Sequence, residues 1–325
     1  MGTRIVSTGS YLPDRILTNR DLESIVDTSD EWIVQRTGIR TRHLLAEDEH
    51  PSHMGAEAAA RALAKHGTSP ADVDMLLVAT TFPDMICPGS APFIAAELGL
   101  SDVPFFDLKA GCTGFVYGLT VADSLVRTGT YNSVLLIGTE ALSRVADWSD
   151  RRTCVLFGDG AGAALLQAGD EGQGVLGTAT FGDADKSMLL HSLGGGTRFP
   201  LTAESIERRD DKLKMEGSGV FRSAVAMMEK ATHAALEQAG LSLSDIDWVI
   251  PHQANARIID LLVRRLEVPE DRVIVNLDRV ANTSAASIPI ALDEAMTAER
   301  IRPGDLVVMT AFGAGVTYGA VVLRV

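Results

Sequence analysis

Short apolar runs alternate along this chain with longer stretches whose apolar residues recur at helical spacing. The runs DMLLVATT, VPFFDLKA and SVLLIG in the first half, and DWVIPH, RVIVNL and DLVVMTA in the second, read as strands separated by helices. Such alternation predicts an α/β fold. Strands this apolar are expected to be covered on both faces, which predicts helices packed between and around two mixed sheets.

The pattern repeats. Residues 62–81, ALAKHGTSPADVDMLLVATT, run parallel to residues 235–254, ALEQAGLSLSDIDWVIPHQA, at an offset of 173. In both copies a helix is expected to end at a glycine, Gly67 or Gly240, where a positive φ is wanted. A second match, AGCTGF at 110–115 against VANTSA at 280–285, has an offset of 170 and sets Cys112 opposite Asn282. A third links TCVLFGDGAGAALL at 153–166 with MTAFGAGVTYGAVVL at 309–323. The chain therefore reads as two similar halves, residues 1–170 and 171–325, with the break at QAGDEGQG.

Composition narrows the class. With 325 residues and 46% hydrophobic content the chain can bury a large core. The first ten residues are too polar for a signal peptide, and no run approaches the ~20 apolar residues that span a bilayer, so a soluble, cytoplasmic protein is expected. Three widely spaced cysteines suit neither a disulfide framework nor a zinc site, and they imply a reducing compartment. A net charge of -14 opposes nucleic-acid binding.

Three residues stand out chemically. Cys112 follows the apolar run VPFFDL and opens CTGFVYGLTVADSLVRTG, whose Gly114, Gly118 and Ala122 recur at helical spacing. The thiol is thus expected at a helix start, where the partial positive charge favours thiolate. His252 ends the strand DWVIP, where α/β folds place ligands. Asn282 joins them through the repeat. Read singly, the three are equally a core cysteine, a hydrogen-bonded structural histidine and a turn residue. His43, His50, His53, His66, His191 and His233 read as surface residues, and HPSH at 50–53 lacks further metal ligands. GDGAGA at 158–163 fits a loose dinucleotide-binding pattern, but the ALLQ that follows reads as strand, so two antiparallel strands joined through small residues are expected instead.

With Cys112 in AGCTGF, His252 in PHQAN, Asn282 in NTSAASIP, FGAGVTYG at 312–319, EWIVQRTGIR at 31–40 and FGDGAGAALL at 157–166, the chain resembles β-ketoacyl-acyl-carrier-protein synthase III along nearly its full length. The resemblance implies the thiolase fold, duplicated halves in five α/β/α/β/α layers, usually as a homodimer. It implies that Cys112 takes an acyl group from coenzyme A and that a decarboxylating malonyl-carrier attacks the thioester, with no metal or redox cofactor. Backbone N–H groups of Cys112 and Ala314 would bind the oxyanion, and His252 with Asn282 would stabilise the enolate.

The same resemblance implies that Trp32 and Arg151 flank the adenine of coenzyme A, that Arg36 lies near its phosphates and that Asn255 meets the pantetheine arm. Arg222, Arg257, Arg264 and Arg265 match basic positions that dock the acidic carrier protein. The last three are spaced to share one helix face, although a plain solvated face would look the same. Ala281 stands where the family often has Gly. The stretch around Ile86 and Cys87, which in the family lines the partner subunit's acyl pocket, varies among members; acetyl is the default primer. Rival readings are a degradative thiolase, disfavoured because FGAG has no second cysteine, a specialised-metabolism acyltransferase or condensing enzyme with another acceptor, and a non-catalytic partner of a real synthase.

Overall fold

The computed structural model describes residues 2–170 and 172–325, so residue 171, where the second half was expected to begin, lies outside the described residues. In chain order the principal strands are β1 (Gly2–Tyr11), β2 (Met75–Ala79), β3 (Phe105–Leu108), β4 (Ser133–Ala141), β5 (Asp159–Gly169), β6 (Gly174–Gly182), β7 (Trp248–Pro251), β8 (Leu306–Gly313) and β9 (Thr317–Arg324). The first five form one sheet in the order β1-β5-β4-β2-β3, and the last four form another in the order β6-β9-β8-β7. In the first sheet β3, β2 and β4 are parallel neighbours and β4, β5 and β1 pair antiparallel; in the second β7 and β8 are parallel while β8, β9 and β6 pair antiparallel. Both sheets are mixed, as the apolar runs predict.

The principal helices are α1 (Asp30–Thr37), α2 (Pro51–His66), α3 (Gly114–Arg127), α4 (Gly217–Ala239), α5 (Ala256–Leu266) and α6 (Ser287–Thr297). One core joins Phe115, Leu119 and Val126 of α3 and Ile288 and Leu292 of α6 to Leu77 and Leu136 of the first sheet and Val307 and Val321 of the second. The two helices thus lie between the sheets. Met54 and Leu63 of α2 cover the other face of the first sheet, and Met228 and Leu236 of α4 with Leu262 of α5 cover that of the second. The result is five layers, α/β/α/β/α. As predicted, α2 and α4 end at Gly67 (φ 77°) and Gly240 (φ 67°), whose lack of a Cβ permits that backbone. Among the described residues no helix is long and apolar enough to cross a membrane.

Three expectations fail for local physical reasons. RVIVNL is not a strand. It touches the sheet only through a bridge between Val249 and Val273, because the buried Gln253 carboxamide donates to the Ile274 carbonyl (3.2 Å) and accepts from the Asn276 N–H (3.1 Å) in place of a ladder. The glycines after Phe157 do not join two strands. From Asp159 onward they run inside β5, where a Cβ on Gly162 would lie 2.7 Å from the Ile290 nitrogen of α6, so small residues let the central helix approach the sheet.

The third correction concerns register. Strands β2 and β7, strands β4 and β8, and helices α3 and α6 all begin 173 residues apart. Cys112, in the turn Gly111–Thr113 before α3, is therefore opposite Ala285, in the turn Ser284–Ala286 before α6. Asn282 sits three residues ahead of that equivalent position. AGCTGF and VANTSA are both built of small residues, and composition matched them one helical turn out of step.

Candidate active site

A cavity of about 990 Å³ opens between the halves and is lined by Cys112, His252 and Asn282. The sequence separates these residues by 140 and then 30 positions, and the starts of the two central helices together with the end of β7 bring them together. Cys112 is buried. Glycine on both sides of the crossing lets two peptide N–H groups reach it: a Cβ on Gly111 would stand 2.7 Å from the Ala314 nitrogen, and one on Gly313 2.5 Å from the Cys112 nitrogen. The amides of Cys112 and Ala314 and the adjoining Ser284 hydroxyl favour the thiolate, yet burial outweighs them and pushes the thiol up to about 11. The helix start predicted from sequence is present, but it does not leave the resting thiol ionised.

His252 directly follows β7, and its own N–H donates to the Thr310 carbonyl of β8 (2.8 Å). The ring is buried and its Nδ1 meets the Ser287 hydroxyl at 2.7 Å. Burial pushes its pKa down to about 3, so it is neutral at ordinary pH. In the tautomer in which the Ser287 hydroxyl donates to Nδ1, Nε2 carries the hydrogen as a donor. Asn282 is fixed by its Oδ1, which accepts the Ser284 N–H (2.9 Å), turning the amide NH₂ into the second neutral donor. Such an arrangement holds a thiol beside two separate pairs of donors, one of backbone amides and one of side chains, each suited to an oxygen that gains negative charge.

The other predicted positions divide. Trp32, Arg36, Arg151 and Asn255 line the same cavity. The Arg36 and Arg151 guanidiniums lie 5.4 Å and 5.1 Å from the Trp32 ring centre, a cation–π pairing that stiffens the indole. Asn255 also has a structural part: its Oδ1 caps α5 through the Arg257 N–H (2.9 Å) and its Nδ2 donates to the Arg36 carbonyl (3.1 Å), tying α5 to α1. Arg222 and Arg257 also line the cavity, and Arg257 lies over Phe221 (5.6 Å). Arg264 and Arg265 are exposed farther along α5, where Arg265 pairs with Glu229 at 2.7 Å. His191, read as a surface residue, is half-buried and lines the cavity, because the segment 184–215 folds over it through a two-stranded ribbon.

Sequence reading missed the polar residues behind the three. Glu140 is wholly buried in β4 and receives the Ser284 hydroxyl (2.9 Å) and the Thr81 N–H (3.0 Å), while burial pushes its carboxyl up to about 7. The signal was available, since a carboxylate inside the apolar run SVLLIGTEA needs partners.

The family described as 3-oxoacyl-[acyl-carrier-protein] synthase III matches residues 106–184, and its C-terminal part matches residues 236–325. Among curated proteins, the chain is 48% identical over 320 residues to "Beta-ketoacyl-[acyl-carrier-protein] synthase III" of Desulfitobacterium hafniense, covering 98% of this chain and 97% of that one. Among solved structures, 3-oxoacyl-[acyl-carrier-protein] synthase III from Aquifex aeolicus VF5 superposes with a TM-score of 0.93 at 43% identity, covering 100% of both chains. The priming β-ketosynthase of the R1128 polyketide biosynthetic pathway is similar at 37% identity and a TM-score of 0.91, over 99% of this chain and 96% of that one. Sequence and five-layered fold agree: this chain belongs to the 3-oxoacyl-[acyl-carrier-protein] synthase III family.

Proposed function

We propose that this enzyme starts fatty-acid chains by condensing an acyl-coenzyme A primer with malonyl-acyl-carrier protein. The observation that carries the reading is the meeting of Cys112, His252 and Asn282 on one cavity, with the Ala314 amide beside Cys112. In the first half-reaction Cys112 attacks the primer thioester, and the N–H groups of Cys112 and Ala314 hold the tetrahedral oxyanion until coenzyme A leaves. In the second, malonyl-carrier loses carbon dioxide and neutral His252 and Asn282 donate to the enolate oxygen. The enolate carbon then attacks the acyl-Cys112 thioester and Cys112 departs. Each donor contributes on the order of 3 kcal/mol to its transition state.

Trp32 and Arg151 would hold the adenine, Arg36 the phosphates and Asn255 the pantetheine arm. Arg222, Arg257, Arg264 and Arg265 offer a local basic surface to an acidic carrier on a chain of net charge -14. A homodimer is part of the reading. Its support is the open edge of β3, where Phe105 and Phe106 are exposed beside Met85, Ile86 and Phe93. No metal or redox cofactor enters either half-reaction.

The test is product analysis with malonyl-carrier and a panel of acyl-coenzyme A primers. A 3-oxoacyl-carrier two carbons longer than the primer, with one carbon dioxide released per product, is expected, and acetyl is the expected primer. An acyl-enzyme that malonyl-carrier fails to discharge would contradict the reading and favour a different acceptor.

A further inference from the structure

Glu140 lies behind the nucleophile. Its carboxylate accepts from the Thr81 N–H (3.0 Å), the Phe82 N–H (3.4 Å) and the Ser284 hydroxyl (2.9 Å), and no basic side chain is among these partners. Ser284 opens the turn before α6, which packs directly on the start of α3: a Cβ on Gly114 would lie 3.2 Å from the Ala285 Cβ. The turns that carry the two residues, Gly111–Thr113 and Ser284–Ala286, pack against each other, and the Ser284 hydroxyl is the polar side chain that acts on the Cys112 thiol. Thiol, hydroxyl and carboxylate thus follow one another from the cavity inward.

We propose that Glu140 takes the Cys112 proton through the Ser284 hydroxyl as the acyl group arrives, an inference that rests on Cys112 being the acyl-accepting nucleophile. The thiol proton passes to Ser284 Oγ while the Ser284 proton passes to the Glu140 carboxylate, and the sulfur electron pair forms the bond to the acyl carbon. When the oxyanion collapses, the bond from that carbon to the coenzyme A sulfur breaks. The departing thiolate recovers the proton along the same path, leaving acyl-Cys112, free coenzyme A thiol and an ionised Glu140.

The acidities fit this exchange. Burial pushes Glu140 up to about 7, near the pH at which a base is most effective, and the thiol up to about 11. Ionised Glu140 also opposes the thiolate, so the two groups share a proton as a coupled unit. The groups facing Glu140 are Thr81 and Phe82 after β2, Gly160 across from it in β5, Ser284 before α6 and Cys112 before α3. His252 stands behind Ser287 and, pushed down to about 3, is a weak rival as base. Glu140 acts through another side chain and positions the proton; it does not touch substrate.

The experiment follows acyl transfer from acyl-coenzyme A to Cys112 by rapid quench and intact mass, in the wild type, Glu140→Gln, Ser284→Ala and Glu140→Asp, as pH is raised through about 7. The wild-type rate is expected to rise through that pH. Glu140→Gln and Ser284→Ala should lose the rise and acylate on the order of 10²-fold more slowly, and Glu140→Asp should recover part of both. A loss uniform at every pH with the rise intact, or wild-type profiles in both variants, would overturn the proposal alone. Ser284→Ala keeps the Cβ and the buried carboxylate, so it remains informative should Glu140→Gln fold poorly. A wild type with no adduct on Cys112 would remove the nucleophile reading and this proposal with it.

Discussion

The two halves enter their central helices through the same short turn, yet only one turn carries a thiol. Gly111–Thr113 holds Cys112 at its centre, whereas Ser284–Ala286 holds Ala285 there. The second half contributes instead from the segments around its turn: Asn282 just before it, His252 at the end of β7 and Ala314 between β8 and β9. Duplication supplies a frame in which two helix starts face each other. On the proposed function the chemistry is divided, with the nucleophile from one side and neutral donors from the other. The buried titratable groups shift in opposite ways too, Glu140 up to about 7 in the first half and His252 down to about 3 in the second.

The largest test of this division is Cys112→Ala, which should abolish acyl-enzyme formation in an intact-mass assay. Exposed Cys87 and buried Cys154 should not substitute for it. Next, Gly313→Ala forces a Cβ to within 2.5 Å of the Cys112 nitrogen, so the two amides cannot converge and acylation should fall about 10²–10³-fold, the cost of one lost oxyanion donor.

A smaller effect separates the buried groups by sign. His252 has a folded pKa of about 3 against an ordinary 6.5, so its contribution is present above 6.5 and lost as pH falls toward 3. Glu140, raised from 4.5 to about 7, contributes fully below 4.5 and loses that contribution as pH rises through 7. In denaturant titrations, His252→Gln should flatten the acid limb of the stability profile, and Glu140→Gln the neutral one. The smallest effect concerns Ala281, which has φ 62° and ψ -165° where Gly is at ease. Ala281→Gly should stabilise by about 1 kcal/mol, a strain relief partly offset by the lost buried methyl, measurable as a higher denaturant midpoint.

Much of this was legible in the chain. The alternation of runs gave the α/β class, and the offset of 173 gave the halves, because a duplicated backbone keeps its helix ends and strand starts even as side chains drift. Cys112, His252 and Asn282 were marked by motif, and Ala281 by departure from one. What stayed hidden depends on contacts across the halves. RVIVNL has the composition of a strand, and only the distant Gln253 side chain, capturing the Asn276 N–H, pulls it off the sheet. The one-turn slip between Cys112 and Asn282 could not be seen where both segments consist of small residues. Glu140 was overlooked because its partners, Thr81 and Ser284, lie 59 and 144 positions away. His191 entered the cavity only through the fold of the segment above it.

The central claim is that one half accepts the acyl group and the other drives condensation. It is tested most directly by the intact mass of His252→Ala and Asn282→Ala after acyl-coenzyme A, followed by addition of malonyl-carrier. Both variants should carry the acyl mass increment on Cys112 and fail to discharge it at more than roughly one hundredth of the wild-type rate. Loss of acylation and condensation to the same extent in Asn282→Ala would contradict the division.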